Sequence, residues 1–367
     1  MSISMPKIEI NFNQKATSLI ERSERGYAVL IIRDETDISS NYKIYKNITE
    51  VEKDSALYTK ENLQYLNDAF EFGTYRVIAV RIGLGTEEAP VNINTAFSII
   101  ENNIDTGWIT ICDGTNEEYS ALAKWIKDKE KEKKTYKAVV YQYDSADSMH
   151  VVNFTNNMVT FKDSRGVQSG LKYLPCLVGI LASCNVVKGS TYFKCTNLSS
   201  VEEVEDNDAA LNSGKFILFN DKDYVRIASD INSLVTTTGT AFTEDMKYIE
   251  TVEVMDLILD DIREEFKNNY LGIYRNKYDN QVLLISSING YFKDLAKEDI
   301  LDPEYENVAT INVEAQREDL ISSGKVEAAE WDDAAVRKTT YKRNVYLSGD
   351  IKILGSMSNL EFDISLF

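Results

Sequence analysis

The sequence predicts an α/β domain followed by a smaller helix-plus-strand domain, α+β overall, with extended strands at both ends. Three observations carry this. Continuous apolar runs alternate with helical stretches through residues 25–145, the mark of strands and helices layered around a largely parallel sheet. Past residues 229–240, rich in Ser, Thr, Asn and Gly, the apolar spacing changes to threes and fours. At the two ends the period is two: Ile8, Ile10 and Phe12 share one face, and so do Leu360, Phe362, Ile364 and Leu366.

Taken in order, residues 1–24 form an arm, with Pro6 suited to the start of an edge strand. Tyr27–Arg33 reads as a buried strand, followed by strands at 75–82, 108–112 and 137–143. Tyr119, Leu122, Ala123 and Ile126 place a helix over 116–134, whose charged tail alternates in sign and reads as a solvated helix end. Residues 150–161 alternate like a hairpin. Residues 174–184 read as a buried helix with Pro175 in its first turn. A second hairpin spans 215–219 and 224–227, around Asp221-Lys222-Asp223.

The domain boundary falls at 229–240, so the first domain covers 25–236, its outer part 25–145. The second domain covers 237–354. Val252, Met255, Ile258, Leu259, Ile262 and Phe266 form the apolar stripe of its first helix, with Asp256, Asp260, Asp261, Glu264 and Glu265 on the other side. A turn at Gly272, a helix over 280–296, a strand over 308–313 and a helix over 314–322 follow. A terminal pair of strands, 344–354 and 359–367, closes the chain, and residues 355–367 form the second arm. The arms either complete the molecule's own sheet or add strands to a neighbour.

The composition narrows the function. Across 367 residues, 40 basic against 59 acidic side chains leave a net charge of −19, unsuited to wrapping nucleic acid or coating an anionic membrane. No apolar run approaches the ~20 residues that span a bilayer, and the N-terminal residues do not resemble a signal peptide, so a cytoplasmic protein is expected. Cys112, Cys176, Cys184 and Cys195 lack the spacing of a zinc site and read as reduced, mostly buried thiols.

Catalytic patterns are missing. His150 is the single histidine, which argues against a triad or an imidazole metal centre; beside a strand start it reads as a surface or rim residue. Gly83-Leu84-Gly85 lacks the third glycine of a dinucleotide fingerprint, and Glu87 and Glu88 follow it. No P-loop occurs, and Asp221-Lys222-Asp223 lacks the glycine and glutamate of a calcium loop. No catalytic, cofactor-binding or metal-binding residue is assigned. Arg337, Lys338, Lys342 and Arg343 put four cations into seven residues of an acidic chain, either a solvated loop or a contact for an acidic partner.

The order of short motifs resembles the contractile tail sheath proteins, particularly the short sheaths of phage tails, PBSX-like prophages and R-type bacteriocins. The residues are Asp223 to Ile227, Asn232 to Thr237, Met255-Asp256, Asp261-Ile262-Arg263, Tyr270-Leu271-Gly272, Asn276 and Tyr278-Asp279-Asn280. Residues 174–183 followed by 186–199 are similar to a further passage of the family. The likeness covers residues 171–324 and both arms; residues 327–343, with Trp331, exceed a minimal sheath.

The resemblance implies a non-enzymatic structural subunit without cofactors. Copies would stack as six-fold rings into a sleeve around an inner tail tube protein, with baseplate and tail terminator proteins at its ends. Assembly would take place in the bacterial cytoplasm, with release of the particle on lysis. The arm residues Ile8, Ile10, Phe12, Leu360, Phe362, Ile364 and Leu366 would join neighbouring subunits. Gly355 and Ser356 would serve as a hinge; a plain hairpin loop over 355–358 is the other reading. Arg337, Lys338, Lys342 and Arg343 would meet the tube. A carboxylate-dependent hydrolase on an α/β scaffold and a surface-layer or adhesin component are the competing classes.

Overall fold

A computed structural model describes residues 20, 25–37, 39–86, 91–184, 186, 188–340 and 342–364. Ile8, Ile10, Phe12 and Leu366 lie outside them. The chain forms two compact units, one containing Ser23–Asp260 with Ile353–Phe367, the other containing Asp261–Lys352.

In the first unit the elements run β1 (Tyr27–Arg33), β2 (Tyr42–Tyr45), α1 (Ile48–Lys53), α2 (Lys60–Phe70), β3 (Arg76–Ile82), α3 (Asn94–Asn103), β4 (Thr106–Ile111), α4 (Asn116–Lys131) and β5 (Thr135–Tyr141). They continue with β6 (Val151–Phe154), β7 (Met158–Phe161), β8 (Val167–Ser169), α5 (Leu174–Ser183), β9 (Leu198–Val201), α6 (Asn207–Asn212), β10 (Lys215–Phe216), β11 (Leu218–Asp221) and β12 (Tyr224–Ile227). A seven-stranded sheet has the order β10-β6-β5-β4-β1-β3-β2 and is parallel except at β2. Its central strands are buried along nearly their whole length, which is why they read as continuous apolar runs. Helix α4 starts with a capping box, Thr115 and Glu118 each bonding the other's backbone N–H.

Helix α5 is buried from Leu174 to Ala182 and packs on β1, β4, β5 and α2. Gly179 permits the close approach to α2: a Cβ there would stand 2.3 Å from the Ala69 carbonyl oxygen.

Residues 150–161 do not form a hairpin. β6 joins the parallel sheet beside β5, while β7 pairs with β8 and β9 in a separate antiparallel sheet. Asn156 holds the crossing, since its Nδ2 donates to the Leu218 carbonyl and its Oδ1 accepts from the Leu218 N–H. Likewise β10 belongs to the large sheet, and only β11 and β12 form the hairpin around Lys222. The boundary expected at 229–240 is bonded into the first unit: Ser233 N–H donates to the Val151 carbonyl, and Asp230 accepts from Thr191. The division falls later, inside α7 (Ile249–Glu265).

In the second unit, α7 ends in one π-helical turn, Phe266–Tyr270. There follow α8 (Tyr278–Lys297), β13 (Val308–Ile311), α9 (Val313–Ser322), α10 (Asp333–Lys338) and β14 (Leu347–Asp350). Leu284, Ile288, Tyr291, Phe292 and Leu295 form the buried face of α8, and Leu320, Ala328 and Val336 a smaller cluster. β14 pairs antiparallel with β13. Among the described residues the expected terminal pair is not made: residues 355–364 carry no strand, and β14 has β13 as its partner.

Helix α7 also departs from its expected two faces. Asp256, Asp261 and Glu265 are buried, whereas Leu259 is exposed. Carboxylates go inward because each has partners there: Tyr291 Oη donates to Asp261 at 2.6 Å, Asn269 to Glu265 at 2.7 Å, and Asp256 meets the charges described next.

Candidate assembly surfaces

The first turns of α7 are bonded to the N-terminal ends of the parallel strands. Lys137, third residue of β5, donates to Asp256 at 2.9 Å and pairs with Glu253 at 3.0 Å. His150, just before β6, places Nε2 3.0 Å from Asp256 and Nδ1 3.1 Å from Glu130. Arg25, ahead of β1, bridges Glu253 and Asp260, while Trp108 Nε1 donates to Glu253 and Thr135 Oγ1 to Asp260.

Burial opposes charge on His150, but the Asp256 carboxylate and the hydrogen bonds that the ring donates to Asp256 and Glu130 outweigh it, raising the imidazole pKa to about 9. Burial likewise opposes charge on Asp256, and Lys137 with His150 outweighs it, holding the carboxyl well below its usual range. His150 is thus no rim residue but a buried imidazolium, 3% exposed. Its partner Asp256 lies 106 residues away, beyond the reach of local pattern. One signal was available: a lysine at 137 inside the apolar run Tyr136 to Val140 needs a counter-charge.

At the opposite, C-terminal edge, the switch point between β1 and β4 is where ligands bind in open α/β sheets. Ion pairs of the chain's own residues lie at this edge. Arg33 pairs with Glu118 and donates to the Gly83 and Val91 carbonyls; Lys172 Nζ lies 2.6 Å from Glu61, Asp113 and the Tyr65 hydroxyl. Among the described residues no cluster of His, Cys, Asp or Glu could hold a metal ion. All four cysteines are free, Cys112, Cys176 and Cys195 buried.

The C-terminal segment contrasts with this closed interior. Leu360 is 91%, Phe362 75% and Ile364 69% exposed. Its root is held: Ser356 donates its N–H to Glu250 Oε1 at 2.8 Å and its hydroxyl to Oε2 at 2.6 Å. Behind Glu250 lies Asp230, whose carboxyl is pushed up to about 6 by burial and by the Glu250 charge, against the Thr191 hydroxyl bond. At the candidate hinge, Ser356 is thus gripped by Glu250, and the described residues beyond it, as far as Ile364, form no strand.

Arg337 and Lys338 end α10, with Lys342 and Arg343 just beyond; all four are exposed. Among the described residues Arg337, Lys338 and Arg343 have no ion-pair partner. Trp331 packs against the Leu320 cluster, which accounts for part of the longer segment.

Residues 242–367 match the family model of the phage tail sheath C-terminal domain. A tail sheath protein of Clostridium phage phiCD119 is 26% identical over 368 residues, covering 98% of each chain. The chain is thus similar to tail sheath proteins along nearly its whole length. Its fold is shared with the contracted helical sheath of the anti-feeding prophage (TM-score 0.71, 11% identity, 99% of both chains). It also resembles a sheath tail protein of Desulfitobacterium hafniense (TM-score 0.65, 16% identity, 83% of this chain and 94% of that one). The sheath family model begins at 242, near α7, so the helix gripping the sheet edge opens the matched region.

Proposed function

We propose that the chain is the structural subunit of a contractile tail sheath. Copies polymerise as stacked six-fold rings around an inner tube, and contraction of the sleeve drives the tube through a target envelope. The observation that carries this is the tail of a chain similar to tail sheath proteins, whose alternating apolar face, Leu360, Phe362 and Ile364, has no cover among the described residues. Burying such side chains contributes about 1.5–3 kcal/mol each, whereas ordering each residue costs about 1–2 kcal/mol. One arm alone therefore gains little, and assembly is favourable when every subunit both gives and receives arms. Ile8, Ile10, Phe12 and Leu366 complete the two donor strands, and the Glu250 grip on Ser356 sets where the C-terminal one departs.

Arg337, Lys338, Lys342 and Arg343 seat the subunit on an acidic partner, most simply the tube. Baseplate and tail terminator proteins bound the sleeve. Assembly proceeds in the bacterial cytoplasm and the particle leaves on lysis. The role is mechanical rather than enzymatic. Negative-stain electron microscopy of the purified protein mixed with purified inner tubes tests the proposal. Sleeves or six-fold rings are expected, and bare tubes beside free subunits at every concentration would refute it.

A further inference from the structure

Several sheath-like motif residues, Tyr270 to Gly272, Asn276 and Asn280, have no part in the readings above, yet they build one feature. The π-turn closes with Leu271 N–H donating to the Phe266 carbonyl, and Gly272 then turns the chain at φ +76. Leu271 and Ile273 are thrown outward, 62% and 64% exposed, with Tyr274 beside them. This tip is fixed to the basic segment. Asn276 Nδ2 donates to the Asn344 carbonyl at 2.9 Å, Thr340 donates to the Asn276 carbonyl at 3.1 Å, and Asn280 donates to the Arg275 carbonyl at 2.7 Å.

The clasp creates an open groove of about 420 Å³ with Leu271 at its edge, an apolar floor that includes Phe266 and Val345, and Arg275, Lys342 and Arg343 around it. Several other cations of the unit are paired locally, as in Lys267–Glu264, Lys297–Asp294 and Arg317–Asp333. Arg275 and Arg343 have no ion-pair partner among the described residues.

From this we infer that the 271–275 tip and the groove beside Arg343 form one docking face for an acidic protein surface bearing an exposed apolar side chain. The inference rests on the proposed tube contact and adds to it an apolar anchor. Paired apolar and cationic contacts suit such a face, because buried anchors supply affinity while rim charges supply orientation.

The test uses full-length protein and purified inner tubes, measuring the concentration that half-loads the tubes. Leu271→Ser/Ile273→Ser and, separately, Arg275→Gln/Arg343→Gln should each raise it about tenfold. Tube-free self-association and thermal stability should not change. If only the charge variant weakens loading, the apolar anchor is refuted while the tube contact stands. If neither does, both fall. If the Ser variant instead blocks tube-free self-association, the tip is a contact between copies and the inference is overturned. It is equally overturned if the tip variant loads tubes normally but loses wild-type binding to phosphatidylglycerol vesicles.

Discussion

His150 Nε2 lies 3.0 Å from Asp256 Oδ1, joining the start of β6 to a helix 106 residues further along the chain. The pair is 3% and 4% exposed, so it works in a medium where charges interact strongly and cannot be left single.

Stability should accordingly fall in mild alkali. The His150 pKa is raised from 6.5 to about 9 in the fold, so its contribution is fully present below about pH 6.5 and is lost as pH rises through 9. A shift of this size corresponds to about 3 kcal/mol. Urea denaturation between pH 7 and 10 should show the loss, and His150→Gln should remove most of that pH dependence.

Asp256→Asn should destabilise the protein by about 3 kcal/mol, since it leaves Lys137 and His150 without their shared counter-charge. Glu253 and Glu130 stay within reach of the two cations and keep the loss from being larger. Calorimetry at neutral pH measures it. Unchanged melting would mean that the network is incidental.

Deleting residues 358–367 should leave a folded monomer with the parent melting temperature, unable to form sleeves. Leu360, Phe362 and Ile364 make no core, and Ser356 with its Glu250 bonds is retained. Aggregation or unfolding of the truncated protein would assign the tail to its own fold.

Replacing Arg337, Lys338, Lys342 and Arg343 with Gln should slow co-assembly with tubes at low salt and matter less at high salt. Exposed charges are screened beyond about 8–10 Å at ordinary ionic strength. Light scattering against salt concentration reads this, and monomer stability should not move.

Gly179→Ala should cost about 1–3 kcal/mol, because the added methyl drives α5 off the Ala69 carbonyl 2.3 Å away. A denaturant midpoint equal to the parent's would show that the two helices can separate freely.

How far these features were legible depends on range. Tyr27–Arg33 was readable to the residue because its burial on both faces appears as an unbroken apolar run. Helix α5 was readable for the same reason, with Pro175 marking its start. The inward faces of Asp256 and Asp261 were not, since a carboxylate on a helix looks solvated until Lys137 and Tyr291 are brought to it by the fold. The hairpin over 150–161 failed for a related reason. Alternation announces strands but not which sheet each joins, and Asn156 sends β6 and β7 to different ones. The tail kept its alternation, yet residues 355–364 carry no strand, because a strand needs a second edge and no described strand pairs with them.

That missing edge has a consequence for how free subunits coexist. Glu361 and Asp363 sit between the apolar residues of the tail. Were identical tails to stack in register, as in cross-β fibres, Glu361 would lie over Glu361 and Asp363 over Asp363 at roughly 4.8 Å. Like charges at that spacing repel and act as gatekeepers against fibre growth. The tail is therefore a poor template for itself while remaining a good strand for an edge of different sequence. A pool of unassembled subunits can accumulate without tangling, each keeping its adhesive end for a different edge of a neighbouring copy.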